Sequence, residues 1–523
     1  MEQNSKPRGV STTSSTSSVT EFVNEAFVDS ELELSKVVSL DVSNDDQYIK
    51  RPLPGSKELV SQPASKDDAE KDLQKGTGFR KMYIAAFTAL LFAVCMGYTA
   101  AYSATATVDM LEPHSRIDPT DDDVSWIASL VAVGALLGGT AGGYLTNRLG
   151  RKGTLVMNVV PYVTGWVLIA YANTTILIFI GRVVTGFSTG LVSVATPMYL
   201  VEIATPDVRG LLGASFQLFV VLGVLLISGV GSALTWQWSA VSGACLCLFA
   251  TFLMLLVPES PRWLIGQKRQ KEAKEAMRFL QGPMLDVEAE CHALEEDLRQ
   301  QPSGGVHYQE FTAPTVYKPF LLSIALMFFQ QFSGINAVLF YTTQIFKSSG
   351  SSLEPAVATI LVAVVQVVAT LVSSLLMDKA GRKPLLLLSG AWMAISLFCF
   401  GGFDFAKTKD ASILNTFGWV PLVCLMSFVA AFSIGYGPTP WLMVAEMTPI
   451  RFRSVVSGVA TALNWTFAFI VTKSFKAMEK GIKGYGVYYY YGSICFASLF
   501  LAIFFLPETK GKKESEIKEF FDK

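Results

Sequence analysis

The chain is short of charge, of histidine and of organised cysteine, and each shortage excludes something. Of its 523 residues only 16% are charged and 51% are hydrophobic, whereas a soluble domain carries about 25% charge. The 42 basic and 43 acidic residues leave a net charge of -1, so there is no field to gather a nucleic acid, and none is expected as a partner. The three histidines, His114, His292 and His307, lie outside the apolar runs, which removes a membrane-buried imidazole proton relay. Six of the seven cysteines sit inside apolar runs and Cys291 sits in a charged stretch. With no zinc-type spacing, and with His292 beside Cys291 too few to complete a ligand set, they read as small apolar filler, and no metal or other cofactor is expected. No nucleophile–base pair stands out, which disfavours an enzyme.

Long apolar runs are what the chain does have, and a membrane crossing needs about 20 such residues. Six runs qualify in the first part: Met82 to Ser103, Ser125 to Leu145, Leu155 to Ala172, Ile176 to Tyr199, Leu211 to Leu234 and Ser239 to Val257. After a polar stretch come Pro319 to Phe340, Ala356 to Met377, Pro384 to Phe403, Phe417 to Val444, Val455 to Thr472 and Tyr485 to Leu506. The expected fold is an all-α membrane protein of twelve transmembrane helices. Residues 1–80 are polar and read as a disordered tail, 81–263 as one six-helix bundle, 264–317 as a linker, 318–506 as a second bundle and 507–523 as a second tail. Within the linker, Lys271 to Leu298 has helical spacing and is expected to form short surface helices.

Basic residues cluster before the first run and after every even-numbered one, which places both termini and the linker in the cytoplasm. The exception is Lys473, Lys476, Lys480 and Lys483, which fall on the other side. Asn173-Thr174-Thr175 is a glycosylation sequon in a very short outer loop. Localisation is expected at the plasma membrane, with an endosomal or lysosomal membrane as the alternative. Glu31 and Glu33 in the front tail are acidic, but no clear dileucine sorting signal accompanies them.

The loops repeat. After run two stands Gly143 with Asn147, Arg148, Gly150, Arg151 and Lys152, and after run eight Asp378, Lys379, Gly381, Arg382 and Lys383. After run four come Pro197, Tyr199 and Glu202 with Arg209 seven residues later, and after run ten Pro440, Trp441 and Glu446 with Arg453 seven residues later. After run six comes Pro258-Glu259-Ser260-Pro261-Arg262, and after run twelve Pro507-Glu508-Thr509-Lys510-Gly511. Three motifs in register, twice, mark a duplicated six-helix half, so the bundles are pseudo-symmetric. Such halves can rock about a site between them.

Together these motifs resemble the sugar porters of the major facilitator superfamily, over roughly Lys81 to Lys513. The wording around Gly97-Tyr98-Thr99 and Gly437-Pro438-Thr439-Pro440-Trp441 resembles facilitative glucose transporters and insect facilitated trehalose transporters. The resemblance implies a cytoplasmic latch that ties the halves together when the site faces outward, made of Arg151, Glu202, Arg209, Arg262, Asp378, Arg382, Glu446 and Arg453. It also implies a sugar as the small-molecule substrate, contacted by Gln217, Gln330, Gln331, Asn336, Gln366, Trp441 and Asn464, with a monomer as the functional unit in the lipid bilayer. The residue types agree, because a sugar needs uncharged donors and acceptors for its hydroxyls and an aromatic plate for its C–H face. Gln330, Gln331 and Asn336 are spaced to share one broad helical face.

Gly437, Pro438 and Pro440 should break run ten, because proline removes a helical hydrogen bond, and a hinge is expected there. Ser433 and Phe340 depart from the hexose-carrier pattern, which has Glu and Tyr in those places. Proton-driven relatives carry an Asp in run one facing an Arg in run four; here Thr99 replaces the Asp while Arg182 remains. The expectation is passive uniport of trehalose or a hexose, with a proton-coupled symporter or a non-transporting sugar sensor as alternatives.

Overall fold

The computed structural model describes residues 66–113, 115–282, 286–300, 308–350, 353–410, 412–512 and 514–522. Among the described residues, eleven helices are long and apolar enough to cross a membrane. The first six spans are Arg80–Met110, Asp121–Leu149, Arg151–Ala170, Thr175–Ile203, Arg209–Ala233 and Trp236–Leu255. The next four are Pro314–Ser349, Pro355–Met377, Arg382–Lys409 and Val420–Met447. The last helix, Arg453–Phe504, has 52 residues and one non-helical position, Lys483 (φ 62°, ψ 166°). At 1.5 Å per residue it is about 78 Å long, enough for two crossings of a hydrocarbon core about 30 Å thick. It therefore supplies the eleventh and twelfth spans, 453–482 and 484–504, and completes two sets of six.

Corresponding helices pack alike in the two halves. Spans two and four pack together, as do eight and ten, and three packs on four and six. Span seven meets span eleven through Gln331 and Asn464, and span nine meets span twelve through Gly390 against Ser498. The halves meet where span two lies on span eleven and span five on span eight.

Residues 66–80 continue the first span as one helix, Lys66–Met110, with good helix formers such as Ala69, Glu70, Leu73 and Gln74 in its first part. Residues 1–65, including Glu31 and Glu33, lie outside the described residues. The linker forms Pro261–Gly266, Gln270–Gln281 and Val287–Gln300, with Met277 and Cys291 buried between the last two. The helix Glu514–Asp522 buries Ile517 and Phe521 against the second half.

Span seven is not one helix. It divides into Pro314–Phe332 and Ile335–Ser349 at Gly334, whose φ of 88° is open mainly to glycine. A Cβ there would also stand 2.6 Å from the Tyr491 ring. The expected shared face of Gln330, Gln331 and Asn336 is therefore corrected: Asn336 lies beyond the break, and backbone bending brings it back to Gln331.

Candidate functional site

Four amides form one bonded chain inside the second half. Asn336 Nδ2 donates to Gln331 Oε1 across the break in span seven. Gln331 Nε2 donates to Asn464 Oδ1 at 3.1 Å. Asn464 Nδ2 donates to Gln330 Oε1 at 2.8 Å, and Gln330 Nε2 reaches the backbone of span ten, donating to Tyr436 O at 2.9 Å and Gly437 O at 3.0 Å. Gln330, Gln331 and Asn464 are buried and Asn336 is half-buried. Buried amides must find partners, and here they find one another. The same groups can exchange these bonds for those of a polyhydroxyl ligand, since each amide both donates and accepts.

Span ten breaks where proline and glycine predict it. Val420–Ala431 passes into a π-helical turn, Phe432–Tyr436, and the helix restarts at Thr439–Met447. Gly437 and Pro438 lie at the break and Pro440 in the first turn after it. Trp441, one turn beyond Gly437, is 40% exposed. Gln366 on span eight is buried with its Oε1 unpartnered among the described residues, and Gln217 on span five is half-buried. Neither joins the amide chain.

Beneath the spans, one network is built twice. Gly150 (φ 88°) and Gly381 (φ 90°) turn the chain from spans two and eight into spans three and nine. Glu259 accepts the backbone N–H groups of Arg151, Lys152 and Gly153 at 2.9–3.0 Å. Glu508 accepts those of Arg382 and Lys383 at 3.0 Å. Each carboxylate sits at a helix N-terminus, where unpaired N–H groups and the dipole favour an anion. Arg151 pairs with Glu202 at 2.7 Å, and Arg382 with Glu446 at 3.0 Å. Ser260 and Thr509 add their hydroxyls to Glu202 and Glu446. Glu259 and Glu508 were missed as functional residues; the twice-repeated Pro-Glu was the available signal.

The expected latch is thus divided in this arrangement. The four members that pair with one another, Arg151 with Glu202 and Arg382 with Glu446, bond within their own half rather than between halves. Arg262 pairs with Asp297 of the linker at 2.8 Å. Arg209 is exposed at the start of span five, Arg453 donates to Thr448 O at 3.5 Å, and the Asp378 side chain lies outside the described part of the structure. Bonds between the halves gather on the opposite face instead. There Lys473 meets Asp122 at 2.6 Å, Lys480 meets Asp121 at 3.2 Å and Lys347 meets Glu112 at 3.2 Å. Gln344 donates to Thr107 at 3.0 Å, and Lys473 lies 4.0 Å from the Trp126 ring centroid.

The model for the family described as "Sugar (and other) transporter" matches residues 81–521. The chain belongs to this sugar transporter family. A facilitated trehalose transporter of Drosophila yakuba is 39% identical over 83% of this chain and 51% of that protein. The trehalose transporter 1 of Drosophila melanogaster is 38% identical over the same shares. The chain spans about half the length of the curated relatives it matches. Among solved structures, the inward-open conformation of the xylose transporter XylE from E. coli superposes with a TM-score of 0.70 at 25% identity, covering 84% of this chain and 99% of that one. The same proton:xylose symporter bound to 6-bromo-6-deoxy-D-glucose gives 0.66. The architecture is the major facilitator fold.

In this member of the sugar transporter family, Arg182 of span four is fully buried. Its Nε donates to Ile127 O at 2.9 Å and its Nη1 to Thr99 O at 2.8 Å, with the Tyr102 ring centroid 5.7 Å away. Two carbonyls and a ring face receive the guanidinium. The Thr99 hydroxyl turns elsewhere, to Cys95 O and Tyr162, each at 2.8 Å.

Proposed function

We propose that this chain carries a sugar, trehalose or a hexose, passively across a membrane by alternating access. The observation that carries the reading is the amide chain from Asn336 to Gln330, set in the second half and bonded to the break in span ten. Bonded uncharged amides beside an irregular span suit a ligand made of hydroxyls. Gln217 and Gln366, with its unpartnered oxygen, extend the contact set, and Trp441 offers an exposed plate for the sugar's C–H face. The names of the fly relatives support trehalose. The amide chain draws all its members from one copy of the chain, which supports the monomer as the working unit in the bilayer.

Passive transport follows from Arg182 and Thr99. A proton joins a transport cycle through a group that titrates beside the site. Thr99 supplies a carbonyl to Arg182 where an acid would titrate. The basic loops put both termini and the repeated charge networks in the cytoplasm, most simply at the plasma membrane. The bonds between Lys473, Lys480 and Lys347 and their acids then close the outer side, leaving the site open inward. On passage to the outward-facing state, the charges of Arg151, Glu202, Arg209, Arg262, Asp378, Arg382, Glu446 and Arg453 would exchange partners and tie the halves together.

Counterflow in liposomes with labelled trehalose, glucose and fructose, with and without a proton gradient, tests this. Sugar-specific exchange without proton movement is expected, and proton influx accompanying sugar would overturn the passive reading. Thr99→Asp is expected to introduce a dependence on the proton gradient.

A further inference from the structure

Two prolines in span ten leave two carbonyls without helical donors, and neighbouring spans supply the replacements. In a helix the N–H of residue i serves the carbonyl of residue i−4. Pro438 and Pro440 have no N–H, so the carbonyls of Ile434 and Tyr436 lose theirs. Ser373 on span eight donates its hydroxyl to Ile434 O at 2.8 Å. Gln330 on span seven donates to Tyr436 O at 2.9 Å. A third side chain bridges the widened turn. Ser389 on span nine accepts the Tyr436 N–H at 3.1 Å and donates to Ala431 O at 2.7 Å. Gly437 N–H donates to Phe432 O at 2.7 Å and closes the π-turn. A broken backbone at membrane depth is tolerated when such partners exist, and here each comes from a different helix.

We propose that Ser373 and Ser389 are positioning residues that hold the break of span ten in register, and that Gln330 is the staple a bound sugar releases. Part of this rests on reading the amide chain as the sugar site. Ser373 and Ser389 bond to the backbone of span ten, Ser389 with one further contact to Met393 Sδ on its own helix, and keep their hold whatever the ligand does. Gln330 belongs to both the amide chain and the break. A sugar hydroxyl that takes the Gln330 amide withdraws the donor from Tyr436 O and Gly437 O, and at Tyr436 O Pro440 cannot restore it. Those carbonyls are then satisfied by bending, or by the sugar's own hydroxyl donors. Occupancy of the site is thereby connected to the geometry of span ten, while two fixed staples keep the rest of the turn in place.

A double-mutant cycle between Ser373→Ala and Pro438→Ala in the full chain tests the fixed staple, because an alanine in place of Pro438 supplies the N–H that Ile434 O lacks. With wild-type Pro438, Ser373→Ala is expected to slow trehalose or glucose exchange about fivefold, the factor for one neutral hydrogen bond, with KM little changed and with recovery in Ser373→Thr. In the Pro438→Ala background, Ser373→Ala is expected to change the rate less than about twofold. An equal effect of Ser373→Ala in both backgrounds overturns the proposal, and so does an effect confined to KM. The same four proteins compared by apparent Tm, without sugar, read the staple independently. Non-additive Tm values with no sugar exchanged would defeat the sugar reading and leave the staple standing, whereas additive values overturn the staple. Hydrogen exchange over 432–447 reports on the release. Trehalose or glucose should alter it in the wild type and much less in Pro440→Ala, where Tyr436 O no longer depends on Gln330. Equal responses in the two proteins overturn the release.

Discussion

Replacing Glu202 by Gln should cost more than replacing its counterpart Glu446, although the two stand at equivalent places in the repeat. Arg151 and Glu202 approach to 2.7 Å with side chains only 10% exposed each. The Arg151 guanidinium has one further bond, from Nη1 to Thr146 O at 3.3 Å, and its Nε is unpartnered among the described residues. Glu202→Gln therefore strands a guanidinium charge with little water to receive it. Removing one partner of a buried pair costs about 3–5 kcal/mol, and a site at the membrane edge belongs at the lower end, about 3 kcal/mol. The Arg382–Glu446 pair is longer, 3.0 Å, and Glu446 is 25% exposed. Its loss lies between the surface and buried cases, about 1–2 kcal/mol. In apparent Tm, measured on purified protein in one detergent, the difference amounts to roughly 2–4 °C for each kcal/mol at 150–250 residues, and less in a longer chain. Combining Glu202→Gln with Arg151→Met removes the stranded charge and should recover part of the loss. An Arg151→Met/Glu202→Gln protein no more stable than Glu202→Gln alone, or a Glu446→Gln loss as large as that of Glu202→Gln, would refute the reasoning.

Three other outcomes follow from the same geometry. Burial pushes the Glu508 carboxyl up, but the backbone N–H groups of Lys510, Arg382, Lys383 and Thr509 outweigh it and hold the group below the ordinary carboxylate range; a folded pKa below the unfolded one means that this stability is present above the unfolded value, about 4.3, and is lost as pH falls through the lower folded value. Glu508→Gln should therefore flatten the acid limb of a Tm–pH profile, and an unchanged limb would count against the role. On the opposite face, Lys473→Glu should open the halves and raise labelling of a Ser474→Cys reporter by an impermeant maleimide, while Asp122→Lys added to it should reverse the change; failure of the swap to reverse it would show that the pair does not hold the halves. Asn464→Ala takes one partner from each of two glutamines, leaving the Gln331 Nε2 and the Gln330 Oε1 without the bonds they make to Asn464, each orphaned group costing about 1–3 kcal/mol, so sugar affinity in counterflow is expected to fall at least tenfold, and unchanged affinity would remove Asn464 from the site.

Much of this could be read from residue order because the signals were local or repeated. Apolar length located the spans, and the doubled loops located the halves and the charges of Arg151, Glu202, Arg382 and Glu446. The polar amides of span seven were visible as an anomaly in an apolar run. What could not be read depends on partners far along the chain. Glu259 meets Arg151 across 108 positions, so its Pro-Glu motif was legible while its job was not. Gly334 lies inside a run long enough to read as one span, and its positive φ and close approach to the Tyr491 ring are tertiary facts. The hydroxyls of Ser373 and Ser389 look like any small polar residues of a membrane helix until the carbonyls facing them are known to lack donors.

The lysines in the last part of span eleven show why a counting rule met an exception there. The positive-inside rule treats a basic residue as a free charge that resists translocation. Lys473 and Lys480 are not free in this arrangement, since Asp122 and Asp121 of the other half answer them. Those acids have a second reason to be where they are: they open span two, where Thr120 and Asp123 form a capping box and the helix dipole favours negative charge. Lys473 is further held by the Trp126 ring face. The cluster exists only while the halves are closed on that face, and opening must return every charge to water. Water solvates exposed lysine and aspartate almost as well as they solvate each other, which is why exposed pairs contribute so little. A lock of this kind biases the two states without trapping either, as a carrier that must pass through both in each cycle requires.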